Sequence, residues 1–274
     1  MNTGKLALVA GEGELPLEIL KAMRDSGAPF PAVYLFADDE RPYTELGISV
    51  QRITNPLAIA LTLTKMRLNG IKRLIMAGRV PKRSMYDKNR LDDGAKTILS
   101  NVRDRNDHNL LAGIVKYIEK FGITVVGYDS IIPEMLAQEG RIAGPEPSAE
   151  QLRDCEYGLN ILKVLLPLSF GQSLVVSDGA IVAVEAMEGT DQIIKRAGSL
   201  SGRGILIKGM RADQDRRYDI PVVGTQTLRS MHEAGLNGLF IEAGSVLLLH
   251  KAQFVQEAEQ LGICVSGVPS CQFS

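Results

Sequence analysis

Leu6-Ala7-Leu8-Val9-Ala10-Gly11-Glu12-Gly13-Glu14-Leu15-Pro16-Leu17 is the stretch that decides the fold of the first half of the chain. Its apolar run predicts a buried strand, its glycines a tight turn, and Pro16 the opening of a helix with apolar residues at Leu17, Leu20 and Met23. Proline suits the first helical position because its missing N–H would be unsatisfied there anyway. Gly27 supplies a C-terminal stop. The next apolar run, Ala32-Val33-Tyr34-Leu35-Phe36, completes a βαβ unit.

The same alternation continues outward. A helix is expected from about Asn55 to Leu68, a strand at Leu74–Ala77, a helix over Asp107–Lys120 and a strand over Ile123–Gly127. This is the grammar of a parallel sheet covered by helices, a Rossmann-like N-terminal domain spanning residues 1–137. Residues 138–148, rich in Gly, Pro and charge, read as a linker. A second, mixed α/β domain over 149–274 then opens with a helix from Ala149 to Leu166. Asp178-Gly179 between the apolar runs Gln172–Ser177 and Ala180–Glu185 predicts a hairpin, because a type I′ turn needs positive φ at both central residues. Strands at Gly204–Lys208, Leu239–Glu242 and Val246–Leu249 alternate with helices at Thr225–Ala234 and Gln253–Leu261.

Composition narrows the function classes. The 274 residues are 45% hydrophobic and 23% charged, a globular balance for one large or two ordinary domains. Lys plus Arg number 31 against 32 Asp plus Glu, so the electrostatic footprint of a general nucleic-acid binder is missing. No run approaches the roughly 18 to 20 apolar residues of a membrane span, and no signal-peptide pattern opens the chain. Cys155, Cys264 and Cys271 are odd in number and lack CxxC spacing. A cytoplasmic protein, in the reducing compartment and with a small or amphiphilic ligand, is expected.

Three places could carry chemistry. The turn at Gly11 and Gly13 joins a strand to a helix, where backbone N–H groups favour a phosphate, although Glu12 and Glu14 oppose one and a ligand-free turn has the same pattern. Pro16 stands where a dinucleotide fingerprint wants a small residue. Gly78 and Arg79, with Lys82 and Arg83 following, end another strand and could hold a pyrophosphate or simply form a basic loop. The densest polar region comprises Glu185 to Asp191, Lys208, and Asp213 to Asp219. Magnesium takes carboxylate oxygens, and Glu185, Glu188, Asp191, Asp215 and Asp219 are candidates. Helix capping by Thr190 and Asp191 and a solvated loop at 213–219 are the alternatives. His108, His232 and His250 form no HExxH or two-metal phosphoesterase cluster, and no Gly-x-Ser-x-Gly elbow occurs. Hydrolysis by a metal-positioned water suits this inventory best.

The motifs resemble those of the UDP-2,3-diacylglucosamine pyrophosphatases of the LpxI type, found in Gram-negative bacteria. They are Leu6 to Pro16, Met76-Ala77-Gly78-Arg79, Gly171-Gln172, the string Val184-Glu185-Ala186-Met187-Glu188-Gly189-Thr190-Asp191, and Gln214-Asp215 leading to Asp219-Ile220-Pro221-Val222-Val223-Gly224. The resemblance runs over nearly the whole chain. Departures are the Gly-Glu-Gly turn in place of three glycines, Arg79 in place of lysine, and Ser169-Phe170 in place of a Leu-Asp pair.

The resemblance implies two domains enclosing an acylated UDP-sugar in a cleft between them. It implies a Mg2+ (or Mn2+) cofactor and hydrolysis to UMP and 2,3-diacylglucosamine 1-phosphate, with water attacking the sugar-side phosphorus. Asp219 matches the catalytic position, as metal ligand or as orienter of water. Gly11, Gly13, Gly78, Arg79, Gln172, Gly189, Thr190, Lys208 and Thr225 are the expected substrate contacts, and Glu188, Asp191, Asp215 and Asp219 the expected metal ligands. No nucleic-acid partner is expected; transient peripheral contact with the inner membrane and a homodimer are. The competing readings are a noncatalytic binding protein for an acylated nucleotide sugar and a Rossmann-type NAD-dependent oxidoreductase.

Overall fold

The structure is a computed structural model that describes residues 4–55, 57–79, 91–102, 107–169 and 171–270. Lys82, Arg83, Phe170 and Cys271, together with the side chain of His108, lie outside the described residues. The chain divides into two compact units, residues 1–132 with 216–218, and residues 133–215 with 219–274.

The first unit runs β1 (Lys5–Ala10), α1 (Leu15–Asp25), β2 (Ala32–Leu35), α2 (Arg41–Glu45), β3 (Val50–Arg52), α3 (Ile59–Leu68), β4 (Ile71–Ala77), α4 (Asp93–Asn101), α5 (Asp107–Lys120) and β5 (Thr124–Val125). Its described strands form one parallel sheet in the order β3-β2-β1-β4-β5, the Rossmann-like arrangement expected. The order reverses between β1 and β4, so the turns after Ala10 and Ala77 meet at the switch point of the sheet. Helix α1 buries Leu15, Ile19, Leu20 and Met23, an i, i+4, i+5, i+8 stripe, and carries Pro16 in its first turn. Gly27, at φ +71°, follows its end. Asp92 serves two helices: one carboxylate oxygen accepts Ala95 N–H of α4 at 2.8 Å and the other accepts Ala60 N–H of α3 at 2.7 Å. Tyr218 packs against the core of this unit, and Arg217 pairs with Glu119 at 2.7 Å.

The second unit runs β6 (Gly140–Ala143), α6 (Ala149–Leu165), β7 (Ser173–Ser177), β8 (Ala180–Val184), α7 (Thr190–Ser201), β9 (Gly204–Lys208), β10 (Val222–Val223), α8 (Thr225–Glu233), β11 (Leu236–Glu242), β12 (Leu247–Leu248), α9 (Lys251–Leu261) and β13 (Cys264–Val268). The main sheet has the order β6-β13-β11-β9-β7-β8, with β9, β11 and β13 parallel and the edges antiparallel, which is the mixed α/β architecture expected. The stretch 138–148, read as a linker, contains β6, which pairs antiparallel with β13 and places residues 140–143 in the sheet. Its composition misleads because an edge strand needs no apolar alternation when its pairing partner lies over a hundred residues away in sequence.

Both faces of the main sheet are covered. Val175, Leu206, Leu239, Ile241 and Val265 pack on Ile193 and Ile194 of α7, Leu228 and Met231 of α8, and Phe254 of α9. The alternate residues Leu174, Val176, Ile205, Ile207 and Phe240 pack on α6 through Cys155 and Leu162. The expected hairpin is present, with Asp178 at φ 54° and Gly179 at φ +72°. Asp154 of α6 holds its turn by accepting both amides, from Asp178 at 3.1 Å and Gly179 at 2.8 Å. Gly158 lets α6 lie close on the sheet, since a Cβ there would fall 2.3 Å from Ile207 Cδ1 and 2.7 Å from Val176 Cγ2.

That close approach predicts overpacking on enlargement. Gly158→Val should lower stability by about 1–3 kcal/mol in urea unfolding monitored by circular dichroism. An unchanged midpoint would show that α6 does not pack on β7 and β9 in this way.

Candidate functional site

The carboxyl ends of β9, β11 and β13 lie at one end of the second unit's sheet, together with the start of antiparallel β7 and the end of β8. This is where ligands bind in open α/β sheets, because loops there are free of the ladder and helix N-termini follow them. Five polar side chains from four segments converge at this end.

Lys208 closes β9 with only 7% of its surface exposed. Its ammonium donates to Thr190 Oγ1 at 2.9 Å, and the Thr190 hydroxyl donates to Glu185 Oε1 at 3.0 Å. Glu185 Oε2 accepts the Ser173 hydroxyl at 2.6 Å and the Gln172 amide at 3.2 Å. Thr190 can reach both partners because Gly189, at φ +84°, turns the chain sharply into α7. Burial pushes the Lys208 pKa down, and the negative charges of Glu185 and Asp191 oppose that shift. The network is a buried cation bridged to a carboxylate through a hydroxyl.

A second network adjoins the first through Gln172. The Gln172 side chain donates to Gln214 Oε1 at 3.0 Å, and the same oxygen accepts Arg211 N–H at 3.3 Å. Gln214 Nε2 in turn donates to the backbone carbonyl of Asp219 at 2.7 Å. Gly209 N–H closes the group on Gln172 O at 3.0 Å. Asp219 N–H donates to Asp215 O at 3.1 Å, so the two aspartates flank one turn of chain. Next to it Glu242, fully buried at the end of β11, accepts Met210 N–H at 2.9 Å and the hydroxyls of Ser245 at 3.2 Å and Ser270 at 2.6 Å. Glu242 and Arg211 escaped the sequence reading. The available signal was an acid ending an apolar strand.

In the first unit the candidate turn is closed by backbone. Gly11 N–H donates to Ala77 O at 2.8 Å, Glu12 N–H to Arg79 O at 2.7 Å, and Arg79 N–H to Glu12 O at 2.8 Å. Of the expected phosphate-cradling positions Gly11 and Gly13, the Gly11 amide is therefore committed to the turn after β4, as is that of Glu12 between them. The glycines serve this crossing: a Cβ on Gly11 would lie 2.5 Å from Arg79 O, and one on Gly78, at φ +87°, 2.8 Å from Gly11 C. Gly13, at φ +100°, faces open space. A cavity of about 780 Å³ lies between α4 and α5, and none of the expected site residues lines it.

Among the expected contacts, Gln172, Thr190 and Lys208 come together with Glu185. Glu188 is instead paired with Arg196 at 2.9 Å. Asp191 lies in the first turn of α7, and Thr225 opens α8 after Gly224. Among the described residues no group of three or more His, Cys, Asp or Glu is placed to hold a metal, so Glu188, Asp191, Asp215 and Asp219 do not form a preassembled cage. Cys155 and Cys264 are buried and in no disulfide among the described residues, and burial pushes the Cys264 thiol up to about 11, the opposite of nucleophilic activation.

Comparison with known proteins covers both units. The LpxI N-terminal domain matches residues 5–135 and the LpxI C-terminal domain matches residues 138–266. A protein of Caulobacter vibrioides, UDP-2,3-diacylglucosamine pyrophosphatase LpxI, is 30% identical over 280 residues that span 96% of this chain and 97% of its own.

The buried cation gives a stability prediction. Glu185→Ala removes an influence that holds the Lys208 pKa up, so that pKa falls further below its unfolded value. The unfolded chain then binds more protons than the folded one between the two pKa values, and stability rises with pH across that window. The variant should lose about 1–3 kcal/mol near neutrality, with the deficit shrinking as pH rises toward 10. Urea titrations at pH 7 and 9.5 check this; a deficit independent of pH would uncouple Glu185 from Lys208.

Proposed function

The chain belongs to the LpxI family, and on that premise we propose that it hydrolyses the pyrophosphate bond of UDP-2,3-diacylglucosamine. The products are UMP and 2,3-diacylglucosamine 1-phosphate, or lipid X, a step of lipid A biosynthesis. The observation that carries this reading is the match to a protein of that name across almost the full length of both chains. In the reaction a water oxygen bonds to the sugar-side phosphorus, the bond to the bridging oxygen breaks, and UMP leaves with that oxygen.

The strand-end networks suit such chemistry. A pyrophosphate carries negative charge that grows on the leaving phosphate, and Lys208 supplies a buried cation nearby, where charge interactions are screened less than in bulk water. Asp219 is the proposed catalytic carboxylate, orienting the attacking water or holding a cation. Its backbone is fixed by Gln214, so its side chain starts from a defined position. A divalent cation, Mg2+ or Mn2+, would neutralise phosphate charge. Magnesium commonly uses one or two carboxylates with substrate oxygens and water. Asp191, Asp215 and Asp219 offer that chemistry without a preassembled cage, whereas Glu188 would first have to leave Arg196.

The substrate is an amphiphile. No helix among the described residues is long and apolar enough to cross a membrane, so access to acyl chains is proposed through transient contact with the membrane surface. Val164 near the end of α6 and Leu168 just beyond it, 67% and 63% exposed, are apolar surface proposed for an acyl chain in the second unit.

UMP release from UDP-2,3-diacylglucosamine with Mg2+, compared between wild type and Asp219→Ala, tests the reading. Turnover should fall by about 10²- to 10⁴-fold in the variant while substrate binding survives. A folded wild type that binds the substrate without releasing UMP, with Mg2+ or Mn2+, would make the chain a binding protein.

A further inference from the structure

Arg211 is a buried cation that the catalytic reading leaves unused. Its side chain is 7% exposed, yet Nη2 is buried and has no hydrogen-bond acceptor among the described residues. A guanidinium stays charged across the physiological range, so a buried N–H without an acceptor is an unmet demand for an anion. Its other nitrogens are engaged. Nε donates to Asp213 Oδ1 at 3.0 Å, and Nη1 donates to the Ser169 hydroxyl. Asp213 is 73% exposed, so much of its charge is answered by water.

The geometry of the fork makes the unmet demand specific. Nη1 and Nη2 form the end edge of the guanidinium, which matches two oxygens of a phosphoryl group. The Ser169 hydroxyl is a single acceptor and meets only half of that edge. Ser169 is also one of the few non-glycine residues with positive φ, at 64°, in the turn that follows Leu166–Leu168. Arg211 belongs to the strand-end networks as well, because its backbone N–H donates to the same Gln214 oxygen that binds Gln172.

We infer that the Nη1–Nη2 edge of Arg211 is a phosphoryl-binding group for a phosphate or diphosphate ester, with the Ser169 hydroxyl holding its place until the anion displaces it. The inference deepens the proposed pyrophosphatase reading and rests on it for the identity of the ester. The anion site itself is a property of the fork. Arg211 acts here as a substrate-binding residue, beside the chain segment that carries Asp219.

Inorganic pyrophosphate is the probe, titrated calorimetrically into the full chain as wild type, Arg211→Met and Arg211→Lys, with melting temperature and UMP-release kinetics measured on each. Wild type should bind pyrophosphate less tightly as salt rises. Arg211→Met should weaken that binding and raise KM by about 10- to 100-fold, without a lower melting temperature, because it removes an incompletely paired buried charge. Arg211→Lys, which keeps the charge but loses the fork, should fall between them. If Arg211→Met does not fold, the lysine variant decides alone. Wild-type affinity and KM in whichever variants fold, or no pyrophosphate binding by wild type, would overturn the inference. A wild type that binds pyrophosphate through Arg211 but releases no UMP would support the anion site and sink the proposed activity.

Discussion

The side-chain amide of Gln214 is the constraint on which the rest of the second unit's strand-end arrangement depends. Gln214 is 5% exposed, and its amide binds the Gln172 side chain and Arg211 N–H with its oxygen and the Asp219 carbonyl with its nitrogen. A carboxamide can do this because it both accepts and donates, and in a poorly hydrated site each bond it fails to make would leave a polar group unsatisfied, two of them backbone groups. The sheet fixes where β7 starts and β9 ends, and Gln214 passes that position on to the loop carrying Asp219. Lys208, Thr190 and Glu185 join through Gln172, so a buried cation and a fixed aspartate share one framework.

The two units use glycine and charge differently at equivalent places. In the first, the switch-point turns are locked to each other through Gly11, Glu12 and Arg79, and their amides are spent on protein carbonyls. A dinucleotide cradle needs those amides open, which counts against the oxidoreductase reading at that turn. In the second, the strand ends are closed by side chains instead. Glu242, with a backbone amide and two hydroxyls around it, shows how thoroughly that end is organised: a fully buried acid is held there by hydrogen bonds.

Much of this organisation was legible in the sequence where the determining interactions are local. The βαβ opening needs only an apolar run, a glycine turn and Pro16, and the hairpin needs only Asp178-Gly179. Strand β9 and helix α5 fall where the apolar pattern puts them. What stayed hidden depends on distant partners. Strand β6 is polar, and its place comes from β13; α2 and β3 are too short to show a period. Glu185 and Thr190 stand in one recognisable string, but their tie to Lys208 follows from sheet order, which puts β8 and β9 on either side of β7. Arg211 gave no signal because its significance lies in what surrounds one nitrogen, and spacing does not encode that.

If the Gln214 framework positions the reacting groups, replacing that one side chain displaces them. In Gln214→Leu, of similar size but without hydrogen bonding, kcat for UMP release should fall by about 100-fold while the circular dichroism spectrum stays native, as expected when a catalytic group is displaced by about an ångström. A folded Gln214→Leu variant with wild-type kcat would contradict the account, because Asp219 would then be positioned by something else or would take no part in the reaction.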